Sequence, residues 1–364
     1  MLALLRYAAS CRLLPDLCQS LQSDSLLKED INLSDWLSAE SSDRLVTDLP
    51  ILPASHNSGA VRCHPDAPIW ERLAFNWAQC QSHRIEDQLR FGVRSLDIRV
   101  TPVVEEKDFV GSLIRMPCAF RSLSGIRETK YQTIRPDEPR LLVSHYFVTD
   151  TTLSEVLEEI SRFLSDHPNE FVFLYIRTDH RHQSDPHWEA VSEAVSKEIG
   201  DRIFYPIKGP NELDSINKVT VGDLAGKVVL VCDKRSPIVS LGGNQRLSWH
   251  SQDIFKYADM WRIKGQADKL AFISQFLRLT RNEQCCCTAL LKDEHSQATE
   301  ITGLAIDGRD GGWCPLHCHQ FYHRHLLNEL RKSGDVRKLG LVMLDGANPN
   351  VVRNLIREMR GRSV

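Results

Sequence analysis

Six short apolar runs, each closing on polar or charged side chains, constrain what this chain can fold into more than any other feature. They are Leu49 to Ala54, Val93 to Val100, Leu141 to Ser144, Phe171 to Ile176, Val228 to Cys232 and Leu339 to Leu344. All are partly β-branched, and all but Val93 to Val100, where Arg94, Ser95, Asp97 and Arg99 intervene, are apolar nearly throughout, as strands buried on both faces of a parallel sheet are. Amphipathic sequence fills the gaps. Thr152 to Ile160 leads into Phe163 and Leu164 with apolar residues three and four apart, and Thr152 with Glu155 fits a capping box. Val351 to Met359 predicts a last helix after the last strand. Such alternation predicts an α/β fold, either a barrel or a doubly wound sheet.

The positions of the reactive residues favour the barrel. His56, Asp97 with Arg99, His145, Arg177 and Asp345 all fall at or just past the C-terminal ends of these runs. In a barrel those ends share one rim, where active sites are built, whereas an open sheet usually separates its first and last strands. The expectation is therefore a distorted TIM (β/α)8-type barrel over residues 45–360. Residues 1–44 read as an N-terminal tail, either a targeting segment or a docking helix. A chain of 364 residues can bury a core of that size. Pro102 to Pro139 has no clear period and reads as a lid or binding loop.

If the runs that end near His56, Arg99 and His145 are neighbouring parallel strands, their ends converge. Two imidazoles, a carboxylate and a guanidinium then share one pocket. Those groups can move two protons around a phosphate ester and offset its charge, so phosphodiester cleavage is the leading reading. A lone histidine at a strand end is more often structural, and Asp97 with Arg99 could be a salt-bridged pair at a rim. Asp345 could equally be the N-cap of the helix that follows it.

Composition excludes some classes. A formal charge of -3 gives no basic field for nucleic acid. No apolar stretch approaches the roughly 20 residues of a membrane span. The acid-poor start, with Arg6 and Arg12 before Asp16, leaves organelle targeting or secretion open beside a cytoplasmic or peripheral-membrane location. The 11 cysteines form no disulfide framework, and reduced thiols are expected.

The runs His56-Asn57-Ser58, Trp77-Ala78-Gln79-Cys80-Gln81, Ile85-Glu86-Asp87-Gln88-Leu89 and Gly92 to Arg99 occur in that order, followed by Val143-Ser144-His145, Leu153 to Phe163 and Leu344-Asp345. This ordered set resembles the X domain of phosphatidylinositol-specific phospholipases C, from about Leu49 to Met359. The resemblance implies cleavage between phosphate and diacylglycerol, releasing an inositol cyclic phosphate. It also implies His56 as general base, His145 as general acid and Arg99 on the phosphate oxygens. Asp345 matches the carboxylate that orients the base, and Asp97 the position that holds Arg99 and the second histidine. Asn57 and Arg177, with Asp253 and Phe255 more loosely, match head-group positions.

Members of this family that hold calcium do so with an asparagine and three carboxylates. Asn57 and Asp97 match two of those positions, but Arg99 and Arg177 fall on the other two. Calcium wants six to eight oxygens, mostly carboxylate, so no metal or other cofactor is expected. Bacterial members usually carry Asp immediately after the first histidine, where this chain has Asn57. That departure implies lower activity or another substrate.

Other readings stay open. One is a glycerophosphodiester-type phosphodiesterase on a related barrel, and another is a head-group-binding pseudoenzyme. Cys314, His317, Cys318 and His319, followed by His323 and His325, have spacings that could ligate zinc, with Cys285 to Cys287 as further candidates. Phe109 to Met116, with Arg115 and Arg121, is a candidate for transient contact with a phospholipid surface.

Overall fold

The computed structural model describes residues 31–67, 69–102, 141–145, 147–178, 185–204, 216–232, 240–241, 245–246, 249–250, 255–259, 266–280, 301–306, 315–334, 336 and 338–360. Leu33–Val364 form one compact unit. Its strands are β1 (Ile51–Ser55), β2 (Ser95–Pro102), β3 (Leu141–His145), β4 (Phe147–Thr152), β5 (Val172–Thr178), β6 (Val228–Cys232), β7 (Ser240–Leu241), β8 (Gln245–Arg246), β9 (Trp249–His250), β10 (Phe255–Asp259), β11 (Ile301–Ile306) and β12 (Gly340–Leu344). The helices are α1 (Ile69–Ala78), α2 (Ile85–Arg90), α3 (Leu153–Asp166), α4 (Asp185–Ile199), α5 (Gln266–Thr280), α6 (Pro315–Lys332) and α7 (Pro349–Arg360).

The main sheet runs β10-β11-β12-β1-β2-β5-β6-β9, with β3 and β4 attached beside β2. Every neighbouring pair along that path is parallel. All six apolar runs read as strands lie in this sheet. Buried on both faces, β1, β3, β6 and β12 have every residue out of solvent, as a continuous apolar run demands.

The sheet does not close, and the expectation of a TIM-type barrel is overturned. Among the described residues no pairing joins β9 to β10, and β9 meets β6 over only Val231↔Trp249 and Cys232↔His250. Closure requires two edge strands to pair at a consistent stagger, and a two-residue strand offers almost no ladder to do so. The architecture is an α/β fold around an open, mixed sheet.

Strand polarity also departs from expectation. β3 is antiparallel to β2, with Val100↔Val143 and Pro102↔Leu141 in register. An apolar run carries no sign of its direction, so the sequence pattern could not reveal this. β5 occupies one edge of β2 from Ser95 to Val100. On the other edge β1 pairs with Ser95 and Leu96, while β3 takes Val100 to Pro102. Hence β1 and β3 run toward each other along one edge of β2. The residue just past β1 and the last residue of β3 meet end to end.

Local signals at helix starts held. Thr152 caps α3, its hydroxyl accepting from the Glu155 N–H at 3.2 Å while the Glu155 carboxylate accepts from the Thr152 N–H at 2.7 Å. That helix buries Val156, Leu157, Ile160, Phe163 and Leu164. α7 is capped by Asn348, whose side-chain oxygen accepts from the Asn350 and Val351 N–H groups. Asn348 thus fills the N-cap role that the sequence left open for Asp345.

Below the N-terminal end of β2, Arg94 is fully buried and uses all of its donor groups. Nε donates to Glu170 at 2.6 Å, Nη1 to the carbonyls of Leu89 and Val93, and Nη2 to those of Leu33 and Ser34. The other Glu170 oxygen accepts from the N–H groups of Leu37 and Ser38. The ion pair therefore ties the segment from Leu33 to Ser38 beneath the sheet, with Trp36 and Leu37 buried.

Candidate active site

The end-to-end meeting of β1 and β3 brings His56 and His145 together, their ring centroids 6.2 Å apart and the rings edge to face. Each ring has its Nδ1 tied down, and Nε2 of His56 in addition lies 3.0 Å from Nδ2 of Asn57. Nδ1 of His56 lies 2.8 Å from Oδ1 of Asp345, which follows β12 directly. β12 is the parallel neighbour of β1, with Ser55↔Leu344 in register. That register sets the next residues, His56 and Asp345, side by side. Ionised Asp345 can only accept, so Nδ1 carries the proton and Nε2 presents a lone pair. Nδ1 of His145 lies 2.7 Å from the carbonyl of Ala78, which also only accepts. The proton it delivers must therefore sit on Nε2 of its charged form.

Asp97 is buried and central. Arg177 binds it in a fork, Nε to Oδ1 at 2.8 Å and Nη2 to Oδ2 at 2.5 Å. Oδ2 also accepts from the Asn57 N–H at 3.1 Å and lies 3.9 Å from Nε2 of His56. Burial pushes the Asp97 carboxyl up, but the charges of Arg177, Arg99 and His56 outweigh it and hold it at about 2. Arg99 and Arg177 are register partners on β2 and β5, as are Asp97 and Tyr175. With a side-chain period of two, all four lie on one face of the sheet. The Arg177 guanidinium stands 5.2 Å from the centre of the Tyr175 ring.

The loop after β1 is held by residues whose type suggested no role in the sequence. Asn57 has φ of 43°, the only positive value at a non-glycine among the described residues. Asparagine tolerates that left-handed conformation better than most side chains. The Ser58 hydroxyl binds the Ser55 carbonyl at 2.9 Å and receives the Asp97 N–H at 2.8 Å. Gln81 donates to the carbonyls of His56 and Leu344, and its side-chain oxygen accepts from the Ala347 N–H at 3.0 Å. One amide thus clamps the bases of both members of the His56–Asp345 pair. Gln88 donates to the Ser58 carbonyl at 2.8 Å. Cys80 lies between, its sulfur 3.5 Å from Nδ1 of His145 and 3.4 Å from Nδ2 of Asn57. Gln81, Gln88 and Cys80 all stand within the runs that carried the resemblance. Their type alone gave no hint of chemistry.

The structure thus gathers His56, Asn57, Asp97, Arg99, His145, Arg177 and Asp345 around the ends of β1, β3, β5 and β12 and the middle of β2, where Asp97 and Arg99 stand within the strand rather than at the C-terminal end expected for them. Asp253 lies outside the described residues. Phe255 opens β10, but its side chain is outside them too, as are the side chains of Cys314, His317, Cys318 and His319 and the segment from Phe109 to Met116. Among the described residues, the cluster of metal-ligating type is His56, Cys80 and Asp345.

Residues 72–234 match the sequence model of the family described as Phosphatidylinositol-specific phospholipase C, X domain. No curated protein matches the chain in sequence. The fold is similar to that of a phosphatidylinositol-specific phospholipase C from Listeria monocytogenes, with a TM-score of 0.64 and 16% identity, covering 90% of this chain and 99% of the other. A variant phosphatidylinositol-specific phospholipase C from Staphylococcus aureus superposes with a TM-score of 0.59 at 15% identity, covering 90% of this chain and 97% of that one. Another structure of the Staphylococcus aureus enzyme, from work on its membrane binding, gives 0.57 at 16% identity over 90% and 97% of the two chains.

Proposed function

We propose that this chain, which belongs to the X-domain family of phosphatidylinositol-specific phospholipases C, cleaves the phosphodiester of phosphatidylinositol-type lipids. The products are diacylglycerol and an inositol cyclic phosphate. The observation that carries this reading is the pair of imidazoles 6.2 Å apart, one backed by a carboxylate and the other by a carbonyl. In our reading Nε2 of His56 takes the proton from the inositol hydroxyl beside the phosphate. That oxygen then attacks phosphorus within the same molecule, avoiding the entropy of recruiting water. The His145 imidazolium gives its Nε2 proton to the departing glycerol oxygen. Each positioned transfer contributes roughly 10²- to 10⁴-fold. Asp345 stabilises the protonated base, and Arg99 offsets charge on the phosphate oxygens.

The donor set does not fit calcium. Both oxygens of Asp97 already accept from the Arg177 fork, and Oδ2 accepts from the Asn57 N–H as well. A hard cation there would have to displace a guanidinium from a buried carboxylate and then sit beside it. We therefore read the chemistry as metal-independent, with Asp97 and Arg177 as positioning residues for the loop that bears His56. Transient contact with a phospholipid surface follows from the substrate. No helix of the described residues is long and apolar enough to cross a membrane.

The test is hydrolysis of phosphatidylinositol vesicles in chelator, with the water-soluble product followed by phosphorus NMR. The proposal expects a cyclic phosphate first. Inositol-free glycerophosphodiesters cleaved in its place, or activity that requires a divalent ion, would favour the glycerophosphodiester-type alternative.

A further inference from the structure

We propose that His56, Cys80 and Asp345 form an inhibitory site for a thiophilic divalent cation of the zinc class. One ring nitrogen of His56, the sulfur of Cys80 and one carboxylate oxygen of Asp345 all lie within 4.8 Å of one another. Imidazole, thiolate and carboxylate are the donors zinc takes, at bond lengths of about 2.0–2.3 Å, which places tetrahedral ligands roughly 3.3–3.6 Å apart. The trio needs to contract by about 1 Å at its widest, and the His56–Asp345 contact of 2.8 Å to open by about half that.

Two further observations point the same way. The backbone around Cys80 is fixed, its carbonyl accepting from the Gly346 N–H at 2.7 Å and its N–H donating to Ala60 at 3.2 Å. The thiol is thus anchored between the catalytic loop and the end of β12. Asn57 is 2% exposed and its Oδ1 has no hydrogen-bond partner among the described residues. Its Nδ2 lies 3.4 Å from the Cys80 sulfur and 3.0 Å from Nε2 of His56. A half-turn of that amide presents Oδ1 as a fourth donor. The thiolate and the Asp345 carboxylate together neutralise the ion, and the soft sulfur selects zinc or cobalt over calcium.

Binding releases the Cys80 thiol proton to solvent and moves the His56 proton to the nitrogen that does not coordinate. The ion then occupies the base and the carboxylate that orients it. The inhibition rests on the proposed function; the binding does not. The experiment titrates metal-free full-length protein with cobalt(II) in a phosphine reductant. One equivalent should produce a thiolate-to-cobalt charge-transfer band that zinc abolishes. Cys80→Ser should lose the band, and Asp345→Asn, with every thiol in place, should weaken binding at least tenfold. In parallel, zinc should inhibit lipid cleavage by the native chain, and Cys80→Ser should raise the zinc concentration required at least tenfold. No band in the native chain, or a band retained in Cys80→Ser, overturns the site. If the native chain cleaves no lipid, the cobalt band alone decides whether the site exists. Should Cys80→Ser fail to fold, Cys80→Ala and Asp345→Asn decide by the same readout.

Discussion

Asp97 joins three parts of the chain: the fork of Arg177 on β5, the N–H of Asn57 after β1, and the ring of His56. Its carboxyl titrates at about 2 in the folded protein against an ordinary 3.8. A folded value below the unfolded one means the stabilisation is present in full above about pH 4. It is lost as pH falls through about 2, and amounts to on the order of 2 kcal/mol. Denaturant unfolding between pH 5 and pH 2 should show that loss in the native chain. Asp97→Asn should flatten this part of the profile while being less stable throughout, because Arg177 is left without its carboxylate. An unchanged pH profile would remove Asp97 as the titrating group. His56, His145 and Asp345 were legible in the sequence as reactive types at strand ends, and Asp97 and Arg99 as reactive types on a strand, though within β2 and not at its end. Gln81 was not, because its work is done on backbone carbonyls and an N–H that no motif announces. Gln81→Ala strips the side-chain partner from the His56 carbonyl and the Ala347 N–H, each costing about 1–3 kcal/mol where buried, while the Leu344 carbonyl keeps the His56 N–H at 3.0 Å. It should lower kcat more than it raises KM, as measured on vesicles.

Among the elements, the antiparallel approach of β3 decides where His145 stands. The sequence located this strand at Leu141–Ser144 and placed a histidine at its end, but assigned it parallel to its neighbour. Either direction satisfies an apolar run buried on both faces. Gly59, in the loop after β1, lies against β3 so closely that an added Cβ would sit 2.6 Å from Cγ1 of Val143. Gly59→Ala should therefore push β3 away from the loop and separate the two imidazoles, lowering activity at least tenfold. Val143→Ala removes the obstructing methyls, and the double variant should recover most of that loss. A double variant no better than Gly59→Ala would show that the loop and β3 are not coupled through this contact. At the far end of β2, removing one partner of the buried Arg94–Glu170 pair should cost about 3–5 kcal/mol. Glu170→Gln, followed by urea unfolding, measures it. Chemistry should survive in the folded fraction, since the Arg94 side chain bonds Glu170 and the carbonyls of Leu33, Ser34, Leu89 and Val93, none of which belongs to the site.

For the whole molecule, the six strands, the capped α3 and the closing helix were readable from periodicity and capping residues. Closure was not. Whether edge strands pair depends on their length and stagger, and β9, with two residues, leaves no trace in hydropathy. The short strands β7 and β8 escaped for the same reason; β10 escaped because Lys256 and Asp259 interrupt its apolar residues, and β11 because Thr302 and Gly303, a weak strand former, break its run. The site nonetheless needs no closed barrel, because β12, β1, β2 and β5 are consecutive neighbours and β3 fills the remaining edge of β2. A substrate that needs no acid tests the central claim, that two imidazoles divide the proton transfers of one phosphodiester. An inositol phosphodiester with a nitrophenyl leaving group departs without protonation, so His145→Ala should recover 10²-fold or more on it relative to the lipid, with chelator present. His56→Ala should remain as impaired on both. Equal losses for the two variants on both substrates, or full activity in either variant, would contradict the account.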